Sequence, residues 1–247
     1  MRRNARAASE TKARTFDDFF SMNPCDRVWL FDLDDTLHNA SHRAFKELNT
    51  SMTAYIVNHL GLAEDDAVAL RHSYWCRYGA TLTGLQRHHG VKAAHFLHET
   101  HELPGLDAHL HGHSHDLAAL RRLKGRKFLM TNAPLAYAER VLAAIGLLGV
   151  FEGLICIEDM ACFGQSRPKP DARMFRMVLS QLKLRPTRCV LVEDTLIHQK
   201  TAHGLGMKTV WMQRWLRRAG AQRLRRRPVY VSRRVHSLAA LARSPQF

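Results

Sequence analysis

Residues 27–38 read RVWLFDLDDTLH, an apolar run that ends abruptly in carboxylates. Such a run is typical of a buried strand in a parallel sheet, and the acidic cluster marks where the strand ends. Asp32 and Asp34 occupy alternate positions, so both side chains can face one pocket while Leu33 turns away. One carboxylate of such a pair can attack phosphorus while the other protonates the leaving oxygen. The pair therefore favours phosphoryl transfer, although an acidic turn after a strand is also common.

From Lys127 onward, short apolar runs alternate with amphipathic helical patterns. The predicted strands are residues 127–132, 153–159, 189–194 and 208–212, and the predicted helices are residues 136–145, 172–182 and 197–205. This alternation predicts an α/β fold, a Rossmann-like parallel sheet with helices on both faces. In such sheets ligands bind at the edge where the strands end. We therefore expect Asp32, Thr131 and Asp194 to converge, although they lie far apart in the sequence.

Between the first strand and Lys127 the pattern is helical. In residues 41–61 apolar side chains recur at steps of three and four, and Gly61 is placed to end the helix. Helix-like sequence then continues to about residue 101. The predicted units are a basic flexible tail (residues 1–25), a helical cap inserted after the first strand (residues 41–115), and an α/β core (residues 26–40 and 116–247).

Two further segments carry groups that can contact phosphate. Thr131 and Asn132 precede a predicted helix, where a hydroxyl and backbone N–H groups can form an anion cradle. Lys169 lies between two prolines, which stiffen the backbone and can hold its ammonium in a fixed place. Taken alone, the first segment is also an ordinary turn, and a lysine in a proline-rich loop is usually solvated. Their positions between the acidic segments make all three residues candidates for substrate binding.

A second acidic segment, VLVED at residues 190–194, also ends a predicted strand. Mg²⁺ prefers oxygen ligands and needs only one or two carboxylates besides substrate and water. Asp194 together with Asp32 satisfies that need, and Glu193 is a further candidate. The same acidic residues can also cap the helix that follows.

These four segments, in this order and each at a strand end, resemble the four motifs of the haloacid dehalogenase superfamily. The resemblance covers residues 27–212. It implies hydrolysis through an aspartyl-phosphate, in which Asp32 attacks and Asp34 first protonates the leaving group and then activates water. The resemblance also implies a set of binding residues: Mg²⁺ bound by Asp32, Asp194 and the backbone carbonyl of Asp34, and phosphoryl oxygens stabilised by Thr131 and Lys169.

One position departs from the pattern of that superfamily. Related sequences often place an acidic or amide residue one turn after the fourth-motif aspartate, whereas this chain has His198. The contact that this side chain makes to the metal site is therefore not fixed by the resemblance.

Residues 74–90 and 96–101 resemble the cap of pyrimidine 5′-nucleotidase-type members. The resemblance implies a pyrimidine nucleoside 5′-monophosphate as substrate. Arg77 and Tyr78 offer a cation and a stacking ring, which suit the ribose and base of a nucleotide. Tyr78 can equally belong to the core of the cap, and Arg77 can be a surface charge. Since the α/β core recognises only phosphate and metal, a sugar phosphate or another phosphorylated metabolite is the alternative.

The chain is strongly basic, with a formal net charge of +15. The excess is concentrated in residues 1–15, which have five basic residues and one acidic, and in residues 214–234, which have nine arginines and no acid. Because the remaining residues are nearly balanced, we favour an enzyme that acts on anionic metabolites. A nucleic-acid-binding protein that uses Arg214 to Arg234 is the rival from another class.

The remaining features predict a cytoplasmic protein with reduced thiols. The five cysteines are scattered and form no C-x-x-C pair. No apolar run approaches the roughly 20 residues of a membrane-spanning helix. The basic start of the chain also fits a transit peptide but lacks the apolar stretch of a secretory signal. The histidines of residues 88–101 and 109–115 show no spacing that closes into a tetrahedral zinc site, and no particular oligomeric state is indicated.

Overall fold

The computed structural model describes residues 27–40, 43–110, 112–215 and 227–243. The predicted basic tail, residues 1–25, lies outside these ranges, and so do residues 216–226 of the arginine-rich segment. Among the described residues, none of the helices combines the length and the apolar character needed to cross a membrane.

A parallel sheet lies at the centre of the described residues. The strands are β1 (Val28–Phe31), β2 (Arg126–Met130), β3 (Gly153–Ile155), β4 (Ala161–Cys162), β5 (Gln165–Ser166), β6 (Cys189–Glu193), β7 (Lys208–Met212) and β8 (Arg233–Val235). Six of them form the sheet in the order β3-β2-β1-β6-β7-β8, and every neighbouring pair is parallel. β4 and β5 form a separate antiparallel hairpin. The predicted Rossmann-like α/β core is confirmed.

Helices cover both faces of the sheet and form the segment between β1 and β2. The helices are α1 (Ala44–Leu60), α2 (Glu64–Tyr78), α3 (Thr81–His89), α4 (Ala93–His101), α5 (Ser114–Arg122), α6 (Leu135–Ala144), α7 (Ala172–Gln181), α8 (Leu196–Gly204) and α9 (Leu238–Ala242). The three helices predicted after Lys127 are present as α6, α7 and α8, each within one residue of its predicted bounds.

β1 lies in the middle of the sheet, and all four of its residues are buried. Its side chains alternate between two hydrophobic clusters. Trp29 and Phe31 belong to one cluster, and Val28 and Leu30 belong to the other. Successive side chains of a strand point to opposite faces, and helices cover both faces of this sheet, so the whole run is apolar.

β3 is shorter than predicted. It ends at Ile155 because residues 157–159 form a short 3₁₀ turn instead of continuing the strand. The carboxylate of Asp159 stabilises this turn by accepting a hydrogen bond of 2.9 Å from the backbone N–H of Cys156. The acidic residues at the end of GLICIED are therefore part of a turn.

β8 is an edge strand that no sequence pattern predicts. Two of its three residues are arginines, and Val235 is its buried side chain. β8 is the last strand in the sheet and pairs with β7 on one side. Such an edge strand needs no continuous apolar run. The start of the same arginine-rich segment is also tied to the core, because Arg214 forms an ion pair of 2.7 Å with the buried Asp116 of α5. The described ends of this basic segment therefore belong to the fold.

Helices α1 to α4 share a third hydrophobic cluster of their own. Each helix contributes buried apolar side chains to it, among them Tyr55, Tyr74, Leu85 and Phe96. α1 ends at Gly61 in the left-handed conformation, as predicted. The segment after α4 packs on the sheet instead. Leu103, Leu106 and Leu110 join the cluster of Trp29. They lie within the predicted cap range of residues 41–115.

Candidate active site

The carboxyl ends of three neighbouring strands carry the predicted site residues. β1 lies between β2 and β6, so Asp32, Thr131 and Asp194 follow adjacent strands. Asp32 extends the ladder, since its backbone N–H donates a hydrogen bond of 2.9 Å to the carbonyl of Val192 in β6. The chain proceeds to one side of β1 through β2 and β3 and to the other through β6, β7 and β8. Such a switch in strand order is where open α/β sheets bind their ligands.

Three carboxylates lie together at this edge. One oxygen atom from each of Asp32, Glu193 and Asp194 lies within 4.8 Å of the other two. Asp32 and Glu193 are buried, and Asp194 is half-buried. Carboxylates are rarely buried in proteins unless they are paired with a cation or bind a metal. The structure thus brings together Asp32 and Asp194, the predicted ligands, and Glu193, the further candidate.

Lys169 supplies a positive charge to this cluster. Its side chain is 1% exposed, and its Nζ atom donates to Oδ1 of Asp32 at 2.6 Å and to Oε2 of Glu193 at 2.8 Å. A third hydrogen bond, of 2.8 Å, goes to the carbonyl of Met130 at the end of β2. All three ammonium hydrogens therefore have acceptors, which fixes the charge in place.

The loop of Lys169 is held by Asn132. The side-chain Nδ2 of Asn132 donates to the carbonyl of Lys169 at 3.0 Å, and its Oδ1 accepts from the N–H of Lys169 at 2.9 Å. Asn132 was predicted to contact substrate, but in the structure both ends of its amide bind the Lys169 backbone. The residue that follows β2 thus positions the lysine. Thr131, the other predicted phosphate ligand, is buried, and its Oγ1 accepts from the N–H of Ala133 at 3.1 Å.

The electrostatics of the cluster are unbalanced. Burial, together with repulsion from Glu193, raises the pKa of Asp32 to about 8 against the opposing attraction of Lys169. Burial and repulsion from Glu193 and Asp32 raise the pKa of Asp194 well above its usual value. Burial alone would raise the pKa of Glu193, but Lys169 and His198 hold it below its usual range. One lysine does not compensate three carboxylates at this edge.

The donor set fits a hard divalent cation. It consists of carboxylate oxygens on neighbouring strand ends, which is the ligand type that Mg²⁺ selects. A divalent cation would also provide the positive charge that the cluster lacks. Asp32 and Asp194 are the predicted side-chain ligands and lie in this cluster. Glu193 lies in the same cluster and is a further candidate ligand.

Asp34 has a different environment from Asp32. Its Oδ1 lies 2.8 Å from Nε2 of His38 and accepts a hydrogen bond of 2.9 Å from the hydroxyl of Tyr137 on α6. Burial and the neighbouring Asp34 raise the pKa of Tyr137 well above its usual value, so the hydroxyl keeps its proton and donates. Two fixed partners thus orient the Asp34 carboxylate. Neither partner was predicted. His38 follows Asp34 by four residues, and this spacing was an available signal. No sequence signal relates Tyr137 to Asp34.

His198 contacts the cluster through Glu193. Its Nδ1 atom lies 3.1 Å from Oε2 of Glu193, on the first turn of α8. Next to it, the buried Gln199 donates from Nε2 to the carbonyl of Glu193 at 2.8 Å. The start of α8 therefore supports Glu193. His198, which stands where related sequences often have an acidic or amide residue, still contacts a residue of the carboxylate cluster.

Arg77 and Tyr78 lie at the end of α2 and outside the carboxylate cluster. The hydroxyl of Tyr78 lies 2.7 Å from Nε2 of His88, and its half-buried ring packs against the cluster of the four helices. The guanidinium groups of Arg77 and Arg87 lie 5.4 and 5.0 Å from its ring centroid. Each of these distances is typical of a cation–π contact.

The loop after Tyr78 reaches the sheet edge that carries the carboxylates. A Cβ atom placed on Gly79 would lie 2.7 Å from Cδ of Pro170 and 3.1 Å from the carbonyl oxygen of Lys169. Gly79 therefore packs directly against the loop that carries Lys169. Ile157, which follows β3, makes a second connection, because its side chain joins the hydrophobic cluster of the four helices. The helices thus contact the core beside the carboxylates.

The chain belongs to the haloacid dehalogenase-like hydrolase family, which matches residues 27–202. The resemblance of the four sequence motifs to this family is therefore confirmed.

Two characterised relatives align with most of the chain. Phosphate metabolism protein 8 of Saccharomyces cerevisiae is 25% identical in an alignment of 198 residues that covers 75% of this chain and 61% of the yeast protein. The chain thus spans less than two thirds of the yeast protein's length. Validoxylamine A 7′-phosphate phosphatase of Streptomyces hygroscopicus subsp. limoneus is 28% identical in an alignment of 177 residues that covers 68% of this chain and 76% of that protein.

Solved structures share the fold at low sequence identity. A HAD phosphatase from Thermococcus onnurineus superposes with a TM-score of 0.57 at 20% identity and covers 87% of this chain and 95% of its own. CbbY from Rhodobacter sphaeroides, solved in complex with phosphate, has a TM-score of 0.59 at 19% identity and covers 87% of this chain and 96% of its own. At this identity the likeness establishes the fold alone.

Proposed function

We propose that the protein hydrolyses a phosphate monoester and that Asp32 is the nucleophile. The observation that carries the proposal is the contact between Asp32 and Lys169 at the carboxyl end of the central strand. It fixes a buried carboxylate beside a positive charge and next to a second carboxylate, Asp194. A phosphoryl group needs such an arrangement, because negative charge on its oxygens must be compensated as the nucleophile approaches.

In the first step, a carboxylate oxygen of Asp32 bonds to phosphorus and the bond from phosphorus to the ester oxygen breaks. The leaving oxygen takes a proton from Asp34, which lies two residues further along the chain and enters this step as the carboxylic acid. His38 and Tyr137 hold the Asp34 carboxylate, so it is oriented before substrate arrives. The alcohol product departs, and the phosphoryl group remains on Asp32.

In the second step, water attacks the phosphorus atom of the aspartyl-phosphate. Asp34, now ionised, takes the proton of that water, and the bond from phosphorus to Asp32 breaks. Inorganic phosphate leaves, and both aspartates return to their starting states. Lys169 and the Thr131 segment are the groups that we assign to the phosphoryl oxygens.

We assign Mg²⁺ to the same edge, held by Asp32, Asp194 and the backbone carbonyl of Asp34. When bound, the ion supplies positive charge that compensates the phosphate and the carboxylates together. The crowding of three carboxylates around one lysine supports this assignment. YfnB of Bacillus subtilis, a structural relative, is described as bound to magnesium.

We propose that the helices between β1 and β2 are a cap, residues 41–115, that selects the substrate in a cytoplasmic enzyme. Their separate hydrophobic cluster and the contact of Gly79 with the Lys169 loop support this role. The first candidate substrate is a pyrimidine nucleoside 5′-monophosphate, bound beside Arg77 and Tyr78. A sugar phosphate or another phosphorylated metabolite is the second candidate, favoured by the phosphorylated compound, validoxylamine A 7′-phosphate, in the name of the Streptomyces relative.

A phosphate-release panel tests the function and the substrate separately. The purified full chain is assayed with UMP, CMP, purine nucleotides and several sugar phosphates, with Mg²⁺ and with a chelator in excess. We expect release that requires Mg²⁺ and is absent in Asp32→Asn. A preference for sugar phosphates over UMP and CMP would refute the nucleotidase assignment, and no Mg²⁺-dependent release from any ester would refute phosphatase function.

A further inference from the structure

A second group of potential metal ligands lies on the exposed surface of the cap and is distinct from the carboxylates at the sheet edge. It consists of His59 at the end of α1 and of His95 and Glu99, one turn apart on α4. Nε2 of His59 lies 3.0 Å from Oε2 of Glu99, and Nε2 of His95 lies 2.8 Å from Oε1. One ligand atom from each of the three residues lies within 4.8 Å of the other two.

The imidazole rings are held in place by a buried tyrosine. The hydroxyl of Tyr55 lies 2.9 Å from Nδ1 of His95, and its ring centroid lies 4.2 Å from that of His59. Tyr55 is itself anchored, since its ring packs edge-on against the buried Phe96. A hydrogen bond to the outer nitrogen of a histidine is the usual support of a metal-binding imidazole, because it fixes the ring and its tautomer.

The ligand atoms of the three residues lie close enough for one ion to bind after small movements. Zinc bonds of about 2.0–2.2 Å place neighbouring ligand atoms roughly 3.3 Å apart. The two nitrogen-to-oxygen distances, 2.8 Å to Oε1 and 3.0 Å to Oε2 of the Glu99 carboxylate, are a few tenths of an ångström shorter, and one atom from each residue lies within 4.8 Å of the other two. The side chains of His59, His95 and Glu99 are 37%, 48% and 42% exposed, so solvent can reach the group and water can complete the coordination.

The chemistry of this group differs from that of the sheet edge. Two imidazoles and one carboxylate suit Zn²⁺ and related transition-metal ions, whereas Mg²⁺ prefers oxygen ligands. We propose that His59, His95 and Glu99 form a binding site for Zn²⁺ in the cap, separate from the catalytic carboxylates. Such an ion would connect α1 to α4, which pack against each other.

Binding requires a simple movement of protons. Each imidazole binds the ion through the lone pair of Nε2, so a proton carried there in the free cluster moves to Nδ1 or to solvent. In His95 the proton on Nδ1 then donates to the hydroxyl of Tyr55. That hydroxyl can donate or accept, so the hydrogen bond persists in both states.

The test measures binding of Zn²⁺ alone to the full chain, in excess Mg²⁺ to saturate the carboxylates. Affinity and stoichiometry are obtained by competition with a chromophoric chelator, and Co²⁺ absorption reports the ligand geometry. His59→Asn and His95→Asn are compared with His98→Asn, a matched control on the exposed side of α4 whose Nδ1 lies 3.5 Å from Glu102 instead. Circular dichroism without metal verifies that each variant is folded.

We expect one Zn²⁺ per chain in wild type and in His98→Asn, and an affinity at least tenfold weaker in His59→Asn and His95→Asn. Glu99→Gln, which keeps the shape of the side chain, should weaken binding in the same way and covers the case in which a histidine variant does not fold. Equal affinity in all variants would overturn the proposal. Loss of the site in Asp194→Asn, with retention in His59→Asn, would overturn it as well.

Discussion

Nζ of Lys169 lies 2.6 Å from Oδ1 of Asp32, and both side chains are buried although 137 positions separate them in the chain. The same ammonium also binds Glu193. This contact joins the loop before α7 to the end of the central strand. The assembly of the site and the stability of the core are therefore linked through one lysine.

Replacing Lys169 by methionine tests that link. The variant keeps the apolar stem but leaves buried carboxylates without their cation, so we expect a loss of about 3 kcal/mol in the free energy of unfolding. Phosphate release should fall by at least about 100-fold. Urea unfolding and steady-state assays measure the two effects, with Lys200→Met on the exposed surface of α8 as the control. Unchanged stability in Lys169→Met would show that the ion pairs are not needed for folding.

The hydroxyl of Tyr137 is predicted to position the proton donor. Tyr137→Phe removes the hydrogen bond to Asp34 but keeps the ring, so kcat should fall about tenfold or more while the fold persists. Tyr74→Phe is a matched control, because it removes a hydroxyl that contacts His89 within the cap. Equal values of kcat in the two variants would contradict a role for Tyr137 in orienting Asp34.

Gly79 is predicted to be required for contact between cap and core. An added Cβ would collide with Pro170, so Gly79→Ala should displace the cap loop and lower kcat/KM at least about tenfold. Gly61→Ala separates the clash from backbone strain. Gly61 has nearly the same φ, +67° against +77°, but no neighbouring atom within 4 Å of a Cβ. Similar kinetics in both variants would show that the close approach is unimportant.

The buried imidazole of His101 should make the free energy of unfolding decrease at acid pH. Burial lowers its pKa from 6.5 to about 4, despite the attraction of Asp34. Between these values the unfolded chain binds the proton and the folded protein does not, so acidification favours unfolding. Above pH 6.5 the imidazole is neutral in both states and costs no stability. As the pH falls to 4, about 3 kcal/mol of the free energy of unfolding is lost.

Urea unfolding of His101→Gln between pH 7 and pH 4 measures this contribution. The variant should lose less stability on acidification than wild type, because glutamine does not titrate. The exposed His98→Gln should behave like wild type. An acid dependence in His101→Gln as steep as that of wild type would assign the effect to other groups.

The sequence predicted the sheet well where a strand is buried on both faces. β1 and β6 read as continuous apolar runs, because neighbouring strands and helices enclose them. Since these strands are adjacent and parallel, Asp32 and Asp194 could be brought together from sequence alone. The edge strand β8 lacks that signal, because one buried side chain, Val235, is sufficient for it.

Contacts between separate elements were beyond prediction. The approach of Tyr137 to Asp34 depends on how α6 packs over the loop after β1. Gly79 meets Pro170 only when the cap is folded onto the core. The His59 and His95 pair is formed by the packing of α1 against α4, and the 36-residue separation gives no local pattern.

Trapping the covalent intermediate tests the central claim most directly. The enzyme is quenched in acid during turnover of the best substrate, the intact mass is measured, and borohydride reduction converts a phosphorylated aspartate to homoserine for peptide mapping. We predict the mass of one added phosphoryl group, with homoserine at position 32, and no such product from Asp32→Asn. A phosphoryl group mapped to another side chain, or full turnover in Asp32→Asn, would contradict the account.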